Sequence, residues 1–243
     1  MTALRFGVRR LGAAIRRRRA GGFVLQLLIL AACWAYGSLC HPLQYSLQGI
    51  DSAQTIESQA WFHHAYADGV RLYVIHATKW GTCEPWPNTE KQLAMALRAG
   101  MKIAAYTRDP RCWRNGILAA GSYRNQLQFF AIDVETDPGL PVTADIVTGI
   151  KAMGVRPVVY SGSSMWRSVM GESAEFAELP LWDASATAMA PKKTAGNLLA
   201  PHPVQYGGWN TASNMRVGVQ QAFEYTLHGV KVDLNSFSSA FFR

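Results

Sequence analysis

The hydrophobic positions of this chain form short apolar runs, most of which are followed by a glycine, a proline or an acidic residue. Short runs of this kind, rich in β-branched and aromatic residues, are typical of buried strands. Six of them precede residue 185, and each is predicted to be a strand. They are Gln48–Ala53, Arg71–Thr78, Met101–Tyr106, Phe129–Glu135, Val155–Tyr160 and Leu179–Ala184.

Amphipathic stretches that alternate with these runs predict helices. They are Glu57–Asp68, Pro87–Ala99, the weaker Gly116–Gln128, Thr143–Met153 and Ser163–Met170. A strand and a helix alternating at least five times predict parallel β/α units.

The alternation stops after Ala184. Residues 186–218 are rich in Pro, Gly, Asn and Lys, and no convincing helix occurs among them. Val219–Leu227 and Val230–Leu234, on either side of His228-Gly229, instead predict a hairpin. The order fits an α/β fold, an irregular TIM-like β/α barrel with few helices after the fifth strand, over residues 48–243.

The N-terminal part has a different character. Phe23–Leu39 carries no charge, and arginines such as Arg16 to Arg19 precede it. A run of about 17 residues is at the short limit for spanning a bilayer and also fits the core of a signal peptide. We therefore divide this part into a basic cytoplasmic segment (1–22), a transmembrane anchor or signal peptide (23–40) and a linker (41–47).

The arginine flank predicts that the chain after Cys40 lies on the non-cytoplasmic side of a membrane. Leu30-Ala31-Ala32-Cys33 is similar to a bacterial lipobox, so a lipoprotein anchored through Cys33 is an alternative to an uncleaved anchor. Either way, the sequence predicts a membrane-anchored domain that is periplasmic or extracellular.

The formal net charge of +8 arises at this end of the chain. All seven basic residues before position 41 are arginines, and the remainder has 17 Lys or Arg against 16 acids. The domain is thus nearly neutral and has no electrostatic signature of nucleic-acid binding.

Cys83 and Cys112 are the only cysteines after the N-terminal part. Oxidising conditions outside the cytoplasm would allow them to form a disulfide, and two free thiols are the alternative. The His and Cys residues have none of the usual metal-ligand spacings, so we expect neither a metal nor a cofactor.

Two acids at the end of one apolar strand are the strongest chemical signal. Side chains alternate along a strand, so Asp133 and Glu135 point to one side and Ile132 and Val134 to the other. Burial of an unpaired charge costs several kcal/mol. The pair therefore serves either a structural role, satisfied by an arginine or a helix N-terminus, or chemistry.

A barrel would bring further acids to the same place, because the C-terminal ends of its strands surround one mouth. Asp51 follows the first predicted strand, and Asp233 lies on the last. Carboxyls packed together raise at least one pKa, which supplies an acid that is still protonated near neutral pH. Glycoside hydrolysis needs such an acid together with a second, ionised carboxylate.

Several short segments carry a resemblance to the glycoside hydrolase family 25 lysozymes, the Chalaropsis type, over about residues 48–238. They are Gly49–Asp51, Ile75–Thr78, Ala99–Met101, Ala131–Glu135, Pro157–Ser161, Leu179–Trp182 and Gly229–Phe237. The resemblance implies an irregular β/α barrel and cleavage of the β-1,4 bond between N-acetylmuramic acid and N-acetylglucosamine in bacterial cell walls. It also implies Glu135 as general acid, Asp133 as the residue that orients the N-acetyl group or water, and Asp51 and Asp233 as charges of the cleft floor.

Aromatic residues at strand ends are candidates for stacking on sugar rings. They are Tyr106, Trp182, Tyr160 and Tyr225. Core packing is the alternative role for each of them.

The chain departs from the family pattern around these acids. Lys79-Trp80 replaces an acid and a glycine, Arg108 ends an aromatic motif, and Phe223-Glu224-Tyr225 stands where Trp-Gln-Tyr is usual. The leading hypothesis is a membrane-tethered muramidase acting on peptidoglycan or a related N-acetylated glycan. The alternative is a non-catalytic glycan-binding or scaffold domain of the cell envelope.

Overall fold

The computed structural model describes residues 45–184, 204–209 and 215–242 of the chain. Within these ranges, no helix has the length and hydrophobicity needed to cross a membrane. The predicted cytoplasmic segment, the hydrophobic segment 23–40 and Cys33 lie outside the described residues, as does most of 186–218.

Eight strands form a closed barrel in sequence order. Each strand from β1 to β6 runs parallel to the next, whereas β8 is antiparallel to both β7 and β1. The strands are β1 Tyr45–Ser52, β2 Val70–His76, β3 Lys102–Thr107, β4 Leu127–Asp133, β5 Pro157–Ser161, β6 Leu181–Asp183, β7 Arg216–Leu227 and β8 Val230–Ser238. The irregular barrel predicted from the sequence is confirmed.

Five α-helices connect the first six strands. They are α1 Gln59–Ala67, α2 Thr89–Arg98, α3 Trp113–Leu118, α4 Ala144–Ala152 and α5 Ser163–Met170. After α5, the only helical element among the described residues is a short 3-10 turn, Ser239–Phe241. The prediction of few helices after the fifth strand therefore holds for the part of the chain described here.

Two local predictions need correction. Predicted helix 116–128 is instead α3 followed by a 3-10 segment, Gly121–Gln126, because Gly121 adopts a left-handed conformation (φ 55°) that interrupts the helix. Strand β1 begins at Tyr45, so the last three residues of the predicted linker 41–47 belong to this strand, and Tyr45 and Leu47 pair with β8.

Alternation along the strands separates two hydrophobic clusters. In β4, Phe129 and Ala131 point into the barrel, where they pack with residues such as Trp182 and Phe237. Phe130 and Ile132 belong to the outer cluster, which the surrounding helices cover. A strand buried on both faces explains why the sequence of β4 is apolar almost throughout.

The direction of the strands determines what surrounds the mouth of the barrel. The C-terminal ends of β1 to β7 lie at one end, and the antiparallel β8 begins at that same end. Residues that are far apart in sequence therefore meet there, as is usual for barrel active sites.

Candidate active site

A cleft of about 500 Å³ opens at this mouth. The four acids predicted from the sequence all line it: Asp51 on β1, Asp133 at the end of β4, Glu135 two residues further on, and Asp233 on β8. The structure thus brings together side chains that span more than 180 positions of the sequence.

Asp51 is buried beside a second acid. It pairs with Asp233 across the β1–β8 ladder. Asn235 Nδ2 donates a hydrogen bond to Asp51 Oδ1 (2.6 Å), and Asn235 Oδ1 accepts one from Trp182 Nε1 (2.9 Å). Burial and the nearby charge of Asp233 raise the pKa of Asp51 well above its ordinary value, although the Asn235 hydrogen bond opposes this shift.

Asp233 is held by two hydrogen bonds. Its Oδ2 accepts from Gln220 Nε2 (2.9 Å), and its Oδ1 accepts from the backbone N–H of Glu224 (2.7 Å). Gln220 is fixed in turn by Tyr160, whose hydroxyl donates to Gln220 Oε1 (2.6 Å). Burial raises the pKa of Asp233 to about 6, so this carboxyl can carry a proton in mildly acidic solution.

Asp133 is the most isolated of the four carboxyls. Its side chain is buried, and among the described residues its Oδ1 has no hydrogen-bond partner. Burial, followed by the neighbouring Glu135, raises its pKa well above the ordinary value, while Arg108 opposes the shift. A buried polar atom without a partner is rare in proteins and marks a position where a ligand or water can bind.

Glu135 is more accessible and carries an ion pair. Its Oε2 lies 3.0 Å from Arg108 Nη1, and its side chain is 18% exposed. Burial raises the pKa of Glu135, Arg108 acts against this, and Asp137 adds to it. The net direction is upward, as a general acid requires.

His76 lies next to this ion pair and was not among the site residues predicted from the sequence. Its imidazole is buried at the end of β2, with the rings of Trp80 and Tyr106 at centroid distances of 4.6 and 5.0 Å. The backbone N–H of Arg108 donates to His76 Nε2 (3.4 Å). Burial and the Arg108 charge lower the pKa of His76 to about 4, so it is neutral at physiological pH.

Three of the four predicted aromatic residues line the cleft: Tyr106, Tyr160 and Trp182. Tyr160 and Trp182 are almost fully buried, so they form its floor. Tyr225 does not line the cleft and packs against the outer hydrophobic cluster. Irregular pairing of β7 with β8 between Gln220 and Tyr225 changes the face to which the following residues point.

The exposed aromatic residues of the cleft are two that the sequence analysis did not propose as sugar contacts. Trp80 lies in the loop after β2, Phe223 lies in the irregular part of β7, and both side chains are about half exposed at the rim. Asn235 and Gln220 belong to the polar network of the site but were not predicted from the sequence. Their role depends on which strand lies beside them, and no local pattern of residues indicates this.

A disulfide joins the loops that follow β2 and β3. Cys83 and Cys112 are bonded, with a Cα–Cα distance of 4.9 Å. Asn115 Nδ2 also donates to the carbonyl of Cys83 (2.7 Å). These contacts tether the two loops that carry Trp80 and Arg108 into the cleft. Within the described ranges, no group of three or more His, Cys, Asp or Glu side chains could hold a metal ion.

Comparison with known sequences gives no relative, since no family model matches the chain and no curated protein matches it. Solved structures do share its fold. A muramidase from Trichobolus zukalii is 22% identical, with a TM-score of 0.55, and the match covers 79% of this chain and 93% of that one. A bacterial lysozyme from Streptomyces coelicolor is 19% identical, with a TM-score of 0.55 and coverages of 80% and 94%.

A third similar structure, a protein of B. stearothermophilus described as uncharacterized, is 16% identical with a TM-score of 0.56 and coverages of 81% and 98%. The matches cover nearly the whole length of each neighbour. At these identities, they establish that the chain has the fold of the muramidase and the lysozyme.

Proposed function

We propose that this protein is a glycoside hydrolase that cleaves β-1,4 bonds of peptidoglycan or a related N-acetylated glycan. The observation that carries the proposal is the convergence of four carboxyls from three parts of the barrel in one cleft with an aromatic floor. The fold shared with a muramidase and a lysozyme supports it. A cleft of about 500 Å³ is within the size range of small-ligand sites.

In the proposed mechanism, Glu135 protonates the leaving oxygen. It is more accessible than Asp133 at the end of β4, and burial raises its pKa. Asp133 faces the same cleft with an oxygen that has no described partner, and we assign it to orient the N-acetyl group or the attacking water. Asp51 and Asp233 hold negative charge or protons below the reacting centre, where positive charge develops on the sugar.

The decisive experiment measures reducing ends and product masses after incubation of the purified full-length protein with cell-wall sacculi. We expect wild type to release muropeptides, and Glu135→Gln to lose at least about 100-fold in kcat, the scale of general acid catalysis. Glu175→Gln, on an exposed carboxylate far along the chain, is the control and keeps full activity. Full activity in Glu135→Gln would remove Glu135 from the acid role.

A second candidate function is non-catalytic glycan binding. The Arg108–Glu135 ion pair favours it, because a guanidinium stabilises the ionised carboxylate, which has no proton to donate. Wild type and Glu135→Gln that both bind glycan strands and release no product after long incubation would support this function over hydrolysis.

We also propose that the domain is held on the non-cytoplasmic side of a membrane by residues 23–40, or by a lipid on Cys33. The Cys83–Cys112 disulfide supports export from the cytoplasm, since such bonds persist in oxidising compartments. Intact-mass measurement of the mature protein from membrane fractions distinguishes an uncleaved anchor, a cleaved signal peptide and a lipidated Cys33. A mature chain found only in the cytosol would contradict the proposal.

A further inference from the structure

The guanidinium of Arg108 lies between two carboxylates of one segment. Its Nη1 is 3.0 Å from Glu135 Oε2, and its Nη2 is 3.4 Å from Asp137 Oδ2. The Asp137 side chain is 89% exposed, so that contact is weak. Arg108 is thus held mainly by the residue that the proposed reaction needs in its protonated form.

Arg108 is also open to the cleft. Its side chain is 30% exposed and lines the cavity together with Glu135. The guanidinium carbon lies 5.1 Å from the ring centre of Trp80, which supports one face of the group. The polar edge of the guanidinium can therefore exchange one carboxylate for another without loss of this support.

Because of the charges around Glu135, an exchange of this kind would change the protonation of Glu135. Asp133 and Asp137 belong to its own segment, and Asp51 and Asp233 face it from β1 and β8. Lys231 also lines the cleft, but among the described residues Arg108 is the cation that contacts Glu135 and lowers its pKa. Removal of Arg108 from Glu135 leaves this carboxyl among negative neighbours. It would then take up a proton from water.

We propose that Arg108 is a binding site for a carboxylate of the glycan substrate, and that occupation of this site releases Glu135 from its ion pair. The inference rests on the proposed hydrolase function and adds a substrate class: glycans that carry a free carboxylate near the scissile bond. Planar guanidinium groups bind carboxylates through two parallel hydrogen bonds, which the present arrangement divides between two residues.

Two sources supply such a carboxylate in peptidoglycan. The lactyl group of N-acetylmuramic acid is a free carboxylate where the stem peptide has been removed, and stem peptides carry carboxylates of their own where they remain. The shared chemistry is a carboxylate on the glycan strand. A neutral amide at the lactyl position keeps the shape of the sugar and lacks the charge, so it provides a matched control substrate.

The test compares three glycans: peptide-free strands with free lactyl carboxylates, the same strands converted to lactyl carboxamides, and strands with intact stem peptides. Each is given to full-length wild type, Arg108→Gln, Arg108→Lys and Arg114→Gln. Arg114 is the matched control, because it is exposed outside the cleft and lies 5.0 Å over Trp113, much as Arg108 lies over Trp80.

We expect wild type to cleave the carboxylate strands with a kcat/KM about tenfold or more above that for the carboxamide strands, the scale of a charge-assisted bidentate pair. Arg108→Gln should lose this preference and cleave the carboxamide strands faster than wild type does, because Glu135 is no longer paired. Arg108→Lys should lose most of the preference, since an ammonium has no planar fork. Arg114→Gln should retain it.

The inference is overturned if wild type has no preference or if both Arg108 variants keep it. Given that preference, cleavage of peptide-bearing strands as fast as of the carboxylate strands shows that stem-peptide carboxylates also serve as ligands, and slow cleavage restricts the ligand to the lactyl group. If no variant cleaves any glycan, the proposed hydrolase function fails by itself. Equilibrium binding of the same glycans then decides the carboxylate site, which requires tighter binding of carboxylate strands by wild type than by Arg108→Gln.

Discussion

Asp51 and Asp233 occupy directly opposite positions on β1 and β8, so two carboxyls face one cleft across a single pair of backbone strands. Like charges at such positions destabilise a sheet. The pKa of both groups is raised, chiefly by burial, and for Asp51 also by the charge of Asp233. The folded protein therefore retains protons that the unfolded chain releases.

Asp51→Asn should relieve this destabilisation, and more so at higher pH. Above pH 3.8, the ordinary pKa of an aspartate, the folded state binds more protons than the unfolded state. Its free energy of unfolding therefore falls as the pH rises through the folded pKa. Asparagine does not ionise, and its side-chain oxygen can still accept the hydrogen bond from Asn235. At pH 8, the free energy of unfolding of the variant should therefore exceed that of wild type by on the order of 1–2 kcal/mol.

Urea denaturation between pH 4 and 8 measures this difference. The exposed Glu175→Gln serves as the control for the loss of one surface carboxylate. A constant difference between Asp51→Asn and wild type would contradict the raised pKa of Asp51.

His76 should remain neutral in acidic solution. Burial and Arg108 lower its pKa from 6.5 to about 4, so the folded state binds fewer protons than the unfolded state between these values. The stability that depends on this group is present above pH 6.5 and is lost as the pH falls towards 4. NMR of the imidazole at pH 5.5, assigned by the signal absent from His76→Gln, should report the neutral form. A titration midpoint near 6.5 would be incompatible with a buried ring.

Trp80→Ala should weaken glycan binding about tenfold, because the indole offers an exposed stacking face at the cleft rim. Leu118→Ala is a matched control, since Leu118 and Trp80 are equally exposed at 50%, and Leu118 does not line the cleft. Titration calorimetry with glycan strands measures both variants. Equal effects of the two substitutions would point to a general surface contribution rather than a sugar contact.

Removal of the disulfide in Cys83→Ser/Cys112→Ser should lower the free energy of unfolding by about 3–4 kcal/mol, as expected from the loop that it closes over a separation of 29 residues. It should also weaken glycan binding, because the two loops hold Trp80 and Arg108. Chemical denaturation and calorimetry test the two effects separately. A loss of stability with unchanged glycan affinity would show that the loops keep their positions without the bond.

The acidic residues of the site could be predicted from the sequence because two local rules place them. Alternation along β4 puts Asp133 and Glu135 on one side, and the parallel order of the strands brings Asp51 to the same end of the barrel. These rules use only neighbouring residues and the order of elements, both of which a single sequence contains.

The position of Tyr225 and the pairing of Arg108 with Glu135 depend on details that the rules do not include. The irregular register of β7 places Tyr225 on the outer face, and no residue type in that segment predicts the register shift. Arg108 was noted as a departure from the family pattern, but its partner is set by how the loops after β3 and β4 fold. Local pattern gives the strand ends, whereas loop geometry determines which charges meet.

Strand β1 enters the barrel at the end opposite the cleft, where Tyr45 is the cross-strand partner of Ser238. Asp51 lies six residues further along the strand, or about 20 Å away. A resin, bead or reporter protein coupled at position 45 or 238 would therefore attach to the end of the barrel opposite the cleft. The cleft would then face outwards and could bind an insoluble polymer.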